Sequence, residues 1–426
     1  MRHIVFIIMI SLLSSVSYAG VTLDYCLEKG RENYPLIKKY ALLRNTADID
    51  LAHINKSWLP RITVNAQGTI QNEVPQFPET LRDILTQMGQ NYKGLSKFQY
   101  KAGVEVNQTI WDGGESKVQR RETEMRTLRR NAALDVELYQ LNERIENLFF
   151  AQLLYCEQLR QMNSTISLLE AYFEEMGKML KEGVAMQCDV DMMEAQILSM
   201  RQQISRAASA REGVVEMLGI FIGENLEGKE FEMPVMEMPD TESSNRPELN
   251  LYSSRINENK VMNERLNSLL MPKIGFFASA YYGYPGLDYF QNMRERKPGF
   301  NILAGVRASW SITPFYDRKN RLKLIDISNE DIESERETFL FNNRLQTSAQ
   351  IKEIEGLRKV IADDDRIVEL RSSVKKAAES RMKNGIIDAT ELLSKITDEN
   401  NARLTKKYNE ILLLQNIYKL KYILNK

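Results

Sequence analysis

The chain has 426 residues, 27% of them charged, with only 21 glycines and 11 prolines, a shortage of chain breakers that points to long helices. A formal net charge of −1 argues against a nucleic-acid partner and against a polybasic membrane patch. With two histidines, three scattered cysteines, no nucleophile constellation and no Gly-rich phosphate loop, neither an enzyme nor a cofactor or metal is expected.

Residues 1–19 read as a secretion signal. Arg2 precedes an apolar run from Ile4 to Leu13, and Ser17-Tyr18-Ala19 has the small-x-small form that signal peptidase accepts. No cysteine stands at that junction, so no lipid anchor is expected, and no later apolar run reaches the roughly 18 residues of a membrane helix. Leu27 to Ser57 reads as one helix, closed by Pro60. From Arg61 to Gln71 the period changes to two. Ile62, Val64, Ala66 and Ile70 alternate with Arg61, Thr63, Asn65, Gln67, Thr69 and Gln71, the pattern of a strand with one apolar face. Ala102 to Trp111 repeats it, with Val104, Val106 and Ile110 on the apolar side.

After Trp111-Asp112-Gly113-Gly114 the chain reads as helix to about Glu182, on the order of 100 Å, too long to bury itself in a globular core. Gly183 marks a turn, which leaves Cys156 about 40 Å from it along the helix and predicts no bridge from Cys156 to Cys188; Cys26 is likewise unpaired. The returning segment spaces Val190, Met193, Ile197, Met200, Ile204, Ala207, Arg211, Val214, Leu218 and Phe221 by three and four, a coiled-coil seam broken only by the arginine. Residues 223–244 form an irregular acidic connector. Its Met233, Met236 and Met238 are thioethers of the kind that suit copper(I), but loop packing is the better account.

The pattern then recurs. Asn33-Tyr34-Pro35 and Trp58-Leu59-Pro60-Arg61-Ile62 are matched 212 residues later by Asn245-Arg246-Pro247 and Leu270-Met271-Pro272-Lys273-Ile274. Gly183 with Asp189-Val190 recurs 202 residues later as Gly385 with Glu391-Leu392. Ile274, Phe276, Ala278, Ala280 and Tyr282 form a third apolar strand face, and Phe300 to Ile312 a fourth; long helices follow from Asp317 to Lys383 and from Asp388 to Leu424. The chain therefore divides into a signal (1–19), a first repeat (20–222), a connector (223–244) and a second repeat (245–426). Each strand is about ten residues long, enough to cross a bilayer when tilted, and the segments 72–97 and 283–298 between paired strands are too long for tight turns. Trp58, Trp111 and Trp310 all fall where strands meet helices, like the aromatic belt of one membrane interface.

The opening Leu23-Asp24-Tyr25-Cys26-Leu27 with Asn33-Tyr34-Pro35, the Trp58-Leu59-Pro60 entry, the Ile110-Trp111-Asp112-Gly113-Gly114-Glu115-Ser116 exit, and Gly183 with Asp189-Val190 and Glu194-Ala195-Gln196 carry a resemblance. In that order and duplication, over nearly the whole mature chain, the sequence resembles TolC-type outer membrane efflux proteins. The second copy departs from the family at its strand exit, where Thr313-Pro314-Phe315-Tyr316-Asp317 replaces the glycine pair.

The resemblance implies a mainly α-helical chain with a membrane β-barrel, in two tandem repeats of a long α-helical hairpin plus a β-hairpin. A homotrimer would close a 12-stranded outer membrane barrel continued by a periplasmic α-helical tunnel, since open strand edges are not tolerated in hydrocarbon. It further implies outer membrane lipid around the barrel, a periplasmic adaptor (membrane fusion) protein, and an inner membrane transporter. The function implied is a passive exit duct of a tripartite efflux or type I secretion system, gated at its periplasmic tip by Gly183, Asp189, Gly385 and Glu391. Where the family often has a second acid, this chain has Ser394. Two matters stay open in the residues: Asp189 and Glu391 read equally as helix caps, and Lys181 and Arg381 either pair with those acids or are solvated at helix ends. The competing function is a non-conducting coiled-coil structural or tethering protein of the envelope.

Overall fold

The computed structural model describes residues 20–384 and 386–426, so the expected signal (1–19) and the turn glycine Gly385 lie outside the described residues. In chain order the elements are α1 (Leu23–Asn33), α2 (Lys38–Lys56), β1 (Arg61–Ile70), α3 (Glu79–Gln87), β2 (Phe98–Trp111), α4 (Glu115–Lys181), α5 (Gln187–Ile222), α6 (Pro247–Ser268), β3 (Lys273–Tyr284), α7 (Tyr289–Glu295), β4 (Gly299–Ser309), α8 (Thr313–Lys383) and α9 (Ala389–Leu424). Two compact units share them. One comprises the described residues up to Lys39 with Ala133–Asn250 and Arg336–Lys426; the other comprises Tyr40–Ala132 and Leu251–Glu335.

The first unit is helical. Its largest core gathers Cys26 of α1, Ile145, Phe149 and Phe150 of α4, Leu218 and Ile222 of α5, and Ile411 and Leu414 of α9. Removing each of those phenylalanines from water is worth about 1.5–3 kcal/mol. The seam expected on α5 is buried at Val190, Met193, Ile197, Met200, Ala207, Val214 and Leu218. Its last buried residue is Ile222 rather than Phe221, which packs against Tyr34 with ring centroids 6.4 Å apart. Helices α8 and α9 zip together through Ile354, Leu357, Leu413, Ile417, Leu420 and Leu424. Arg246 opens the chain after the connector from a nearly buried position. It pairs with Glu248 and lies over the rings of Tyr139 (4.7 Å) and Tyr422 (5.0 Å).

One expected helix is two. Tyr34 adopts an extended ψ of 127°, and a single 3-10 turn from Pro35 to Ile37 separates α1 from α2. A residue before proline is excluded from the helical region, so Pro35 breaks what the hydrophobic pattern had read as continuous from Leu27 to Ser57. The helix also starts earlier, because the Thr22 hydroxyl accepts the Tyr25 amide proton at 3.2 Å and caps α1.

The second unit is built on one antiparallel sheet, order β1-β2-β3-β4. The register aligns rows across all four strands. Val64, Val104, Ala280 and Ile302 form one row; Ile62, Val106, Ala278 and Ala304 form the next. The first strand exit is fixed by Asp112, whose carboxylate accepts the amide protons of Gly114 (2.9 Å) and Ser116 (2.8 Å). Gly113 sits at φ 71°, and a Cβ there would stand 2.6 Å from that of Met271. At the second exit α8 begins at Thr313, four residues before the expected Asp317, with Pro314 in its first turn where a missing amide proton costs nothing. Between strands the chain is more ordered than its loop-like composition implies. Helices α3 and α7 fold there, and Leu95, Tyr284 and Met293 are buried together.

Candidate functional site

Period-two alternation makes the sheet two-faced. Ile62, Val64, Phe300, Ile302 and Val306 all stand on one side and are exposed, Val64 to 77% and Val306 to 69%. Such a continuous exposed apolar surface, of the kind that marks an interaction or membrane face, has no partner within the chain's described residues. The polar residue on this face, Gln108, is satisfied locally, donating to the Trp58 carbonyl oxygen. The outer edges of β1 and β4 pair with no other strand of the described chain.

Aromatic side chains bound that face at both ends. Trp58, Trp111 and Trp310 stand at the helix end and are all exposed. A β-bulge places Trp111 there: the register slips between Thr109 and Trp111, so Trp111 joins the row of Ile274 and Ala308, which is the apolar side. The Trp310 indole donates to the Leu270 carbonyl oxygen at 3.0 Å. The loop end carries Phe98, Tyr100, Tyr282 and Phe300; reading the sequence placed Tyr282 and Phe300 on the apolar faces but missed Phe98 and Tyr100. The signal was present, since the alternation that places Val104 outward also places Tyr100 there. From Tyr100 to Trp111 is roughly 36 Å of strand at about 3.3 Å per residue, or roughly 26 Å of height at a tilt of about 45°.

The second candidate region lies at the hairpin turns of the helical unit. Gly183 has φ 76° between α4 and α5, and the Asp189 carboxylate accepts the Met186 amide proton at 3.0 Å, tying down the first turn of α5. At the α8–α9 turn that duty falls to Asp388, whose carboxylate accepts the Glu391 amide proton at 2.9 Å. Glu391 is thus released from capping and stands 3.7 Å from Arg381. Of the two cations singled out in the sequence, Arg381 has a carboxylate partner, while Lys181 is exposed and forms no ion pair among the described residues. The two helix starts share one core, in which Val190 and Met193 of α5 meet Ala389 and Leu392 of α9. Val184, Met186 and Ile386 are exposed beside these turns. Among the described residues no group of three or more His, Cys, Asp or Glu side chains could hold a metal, and no helix is long and apolar enough to cross a membrane.

No family model matches the sequence, and no curated protein matches it. Solved structures do match. The chain is similar to the CmeC outer membrane channel of Campylobacter jejuni, at TM-score 0.63 and 12% identity over 96% of this chain and 86% of that one. It is similar to the outer membrane protein VceC of Vibrio cholerae, at TM-score 0.66 and 10% identity over 94% and 95%. The open state of the MtrE outer membrane channel of Neisseria gonorrhoeae aligns at TM-score 0.66 and 14% identity over 94% and 88%. Four strands with one exposed apolar face, long helical hairpins and these alignments over nearly the full length together give the chain the fold of the TolC-type outer membrane channels.

Proposed function

We propose that this protein is a TolC-type channel of the outer membrane, with a periplasmic extension, serving as a passive exit duct for an efflux or type I secretion system. The observation that carries the reading is the exposed apolar face of the sheet, bounded by aromatics at a spacing close to the ~25 Å apolar band of outer membrane barrels. Four strands with free outer edges are not viable alone in hydrocarbon; three copies supply twelve strands and a closed wall. The helical hairpins continue that wall as a tunnel, and their turns form its gate.

In this reading Asp189 and Glu391 have different duties. Asp189 holds the first turn of its helix, while Glu391 and Arg381 make an exposed contact that an opening motion breaks at little cost. The exposed Val184, Met186 and Ile386 are offered to a periplasmic adaptor, which connects the duct to an inner membrane transporter. A tethering role without conduction leaves the apolar sheet face unexplained.

Planar-bilayer recording of the purified mature protein tests the proposal. Discrete conductance steps are expected, enlarged or more frequent in Arg381→Ala and Glu391→Ala. Inserted, folded protein that passes no current would reject it.

A further inference from the structure

The polar face of the sheet is not evenly charged. Arg61, Lys101 and Arg307 are exposed there, none in an ion pair among the described residues, against the single carboxylate of Glu105, which accepts from Asn107 at 2.9 Å. Lys273, also on this face, is already neutralised by Glu115.

Two of the free cations are held by the same device. The Lys101 ammonium lies 5.8 Å from the ring centre of Tyr281, and the Arg307 guanidinium 4.8 Å from that of Phe277. Both rings belong to β3, and each has a glycine directly across the ladder, Gly103 opposite Tyr281 and Gly305 opposite Phe277. A Cβ on Gly103 would stand 2.5 Å from the Tyr281 Cβ, and one on Gly305 would stand 3.0 Å from the Phe277 ring. Gly305 therefore leaves room for the Phe277 ring, Gly103 allows the close approach of the β3 backbone at Tyr281, and each ring seats a cation borne two residues from the facing glycine. A cation over an aromatic face keeps its full charge, whereas one paired with a carboxylate loses its field.

We propose that this face is an anion-conducting wall: Lys101 on Tyr281, Arg307 on Phe277, and Arg61 give the barrel lumen a fixed positive charge that passes anionic solutes, such as carboxylates and phosphates, ahead of cationic ones. The proposal rests on the channel reading above, in which the apolar face meets lipid and the polar face meets water. It places in the barrel a selectivity opposite in sign to that of the carboxylates at the helical turns.

The test is the reversal potential of single channels in a KCl gradient, recorded on full mature protein carrying Asp189→Asn and Glu391→Gln so that the turn acids do not mask the barrel. At low ionic strength, where screening extends over about 30 Å at 0.01 M, chloride should be favoured over potassium; the preference should vanish near 1 M, where screening acts within about 3 Å. Adding Lys101→Gln and Arg307→Gln should lower the chloride-to-potassium permeability ratio several-fold, while Glu105→Gln should raise it. Opposite responses to removal of a positive and a negative charge distinguish a field effect from a folding defect. Conducting channels whose ratio ignores both changes would overturn the anion proposal and leave the channel reading standing. Inserted protein without channels would remove both.

Discussion

At the scale of single residues, the sharpest control sits where strand becomes helix. Asp112 is buried and its carboxyl is held below the ordinary value of 3.8: burial alone would raise it, but the hydrogen bonds from Ser116 and Gly114 outweigh that. A depressed carboxyl contributes stability that is complete above its unfolded pKa and is lost as pH falls through the lower, folded value. Asp112→Ala is expected to cost about 1 kcal/mol, as for loss of a helix cap, and Asp112→Asn less. Resistance of the assembled protein to heat, followed from pH 7 to pH 3, checks both. Arg246 is the larger anchor. Arg246→Ala strips two stacked rings of their cation and leaves Glu248 unpaired and mostly buried, for an expected loss of about 3 kcal/mol, readable as a fall in denaturant midpoint.

At the scale of elements, alternation in the sequence was enough to locate all four strands to within a few residues and to assign their apolar sides, except at the end of β2, where the bulge brings Trp111 rather than Ile110 into the apolar row. The coiled-coil spacing of α5 likewise reappears as buried side chains. Two kinds of information were not legible. The Pro35 break is a local steric effect competing against a periodic pattern that runs across it, and the pattern alone reads through. Order in the strand-connecting loops comes from long-range contacts, such as the Tyr284 hydroxyl accepting the Ser96 amide proton at 2.9 Å, which no spacing reveals. At the turns, Glu391 and Asp189 look equivalent by offset. Their hydrogen bonds separate them: Asp189 accepts the Met186 amide proton, whereas at the other turn Asp388 accepts the Glu391 amide proton and leaves the Glu391 carboxylate to Arg381. The strands also make a direct prediction. Val64→Arg or Ile302→Arg should each cost about 2–4 kcal/mol if the residue lies near the bilayer midplane, and should reduce heat-resistant oligomer in outer membrane fractions. Thr63→Arg, one residue along on the other face, should leave it intact.

At the scale of the whole molecule, the chain is half of an argument that other copies complete. Among the described residues its sheet buries neither its apolar face nor its two outer edges, which in the proposed barrel are covered by lipid and by neighbouring copies. Cross-linking of purified protein in detergent should therefore stop at three copies, with little monomer, and a stable monomer would count against the proposed barrel.

Those open edges have a genetic corollary. Where each proposed ring of three draws its members from one mixed pool, a defective copy that still offers sound β1 and β4 edges enters assemblies alongside normal ones. With equal amounts of each, only about one ring in eight would be free of the defect. Lesions in the turns that spare the sheet should then be dominant over a normal gene, and lesions that destroy the sheet edges should be recessive.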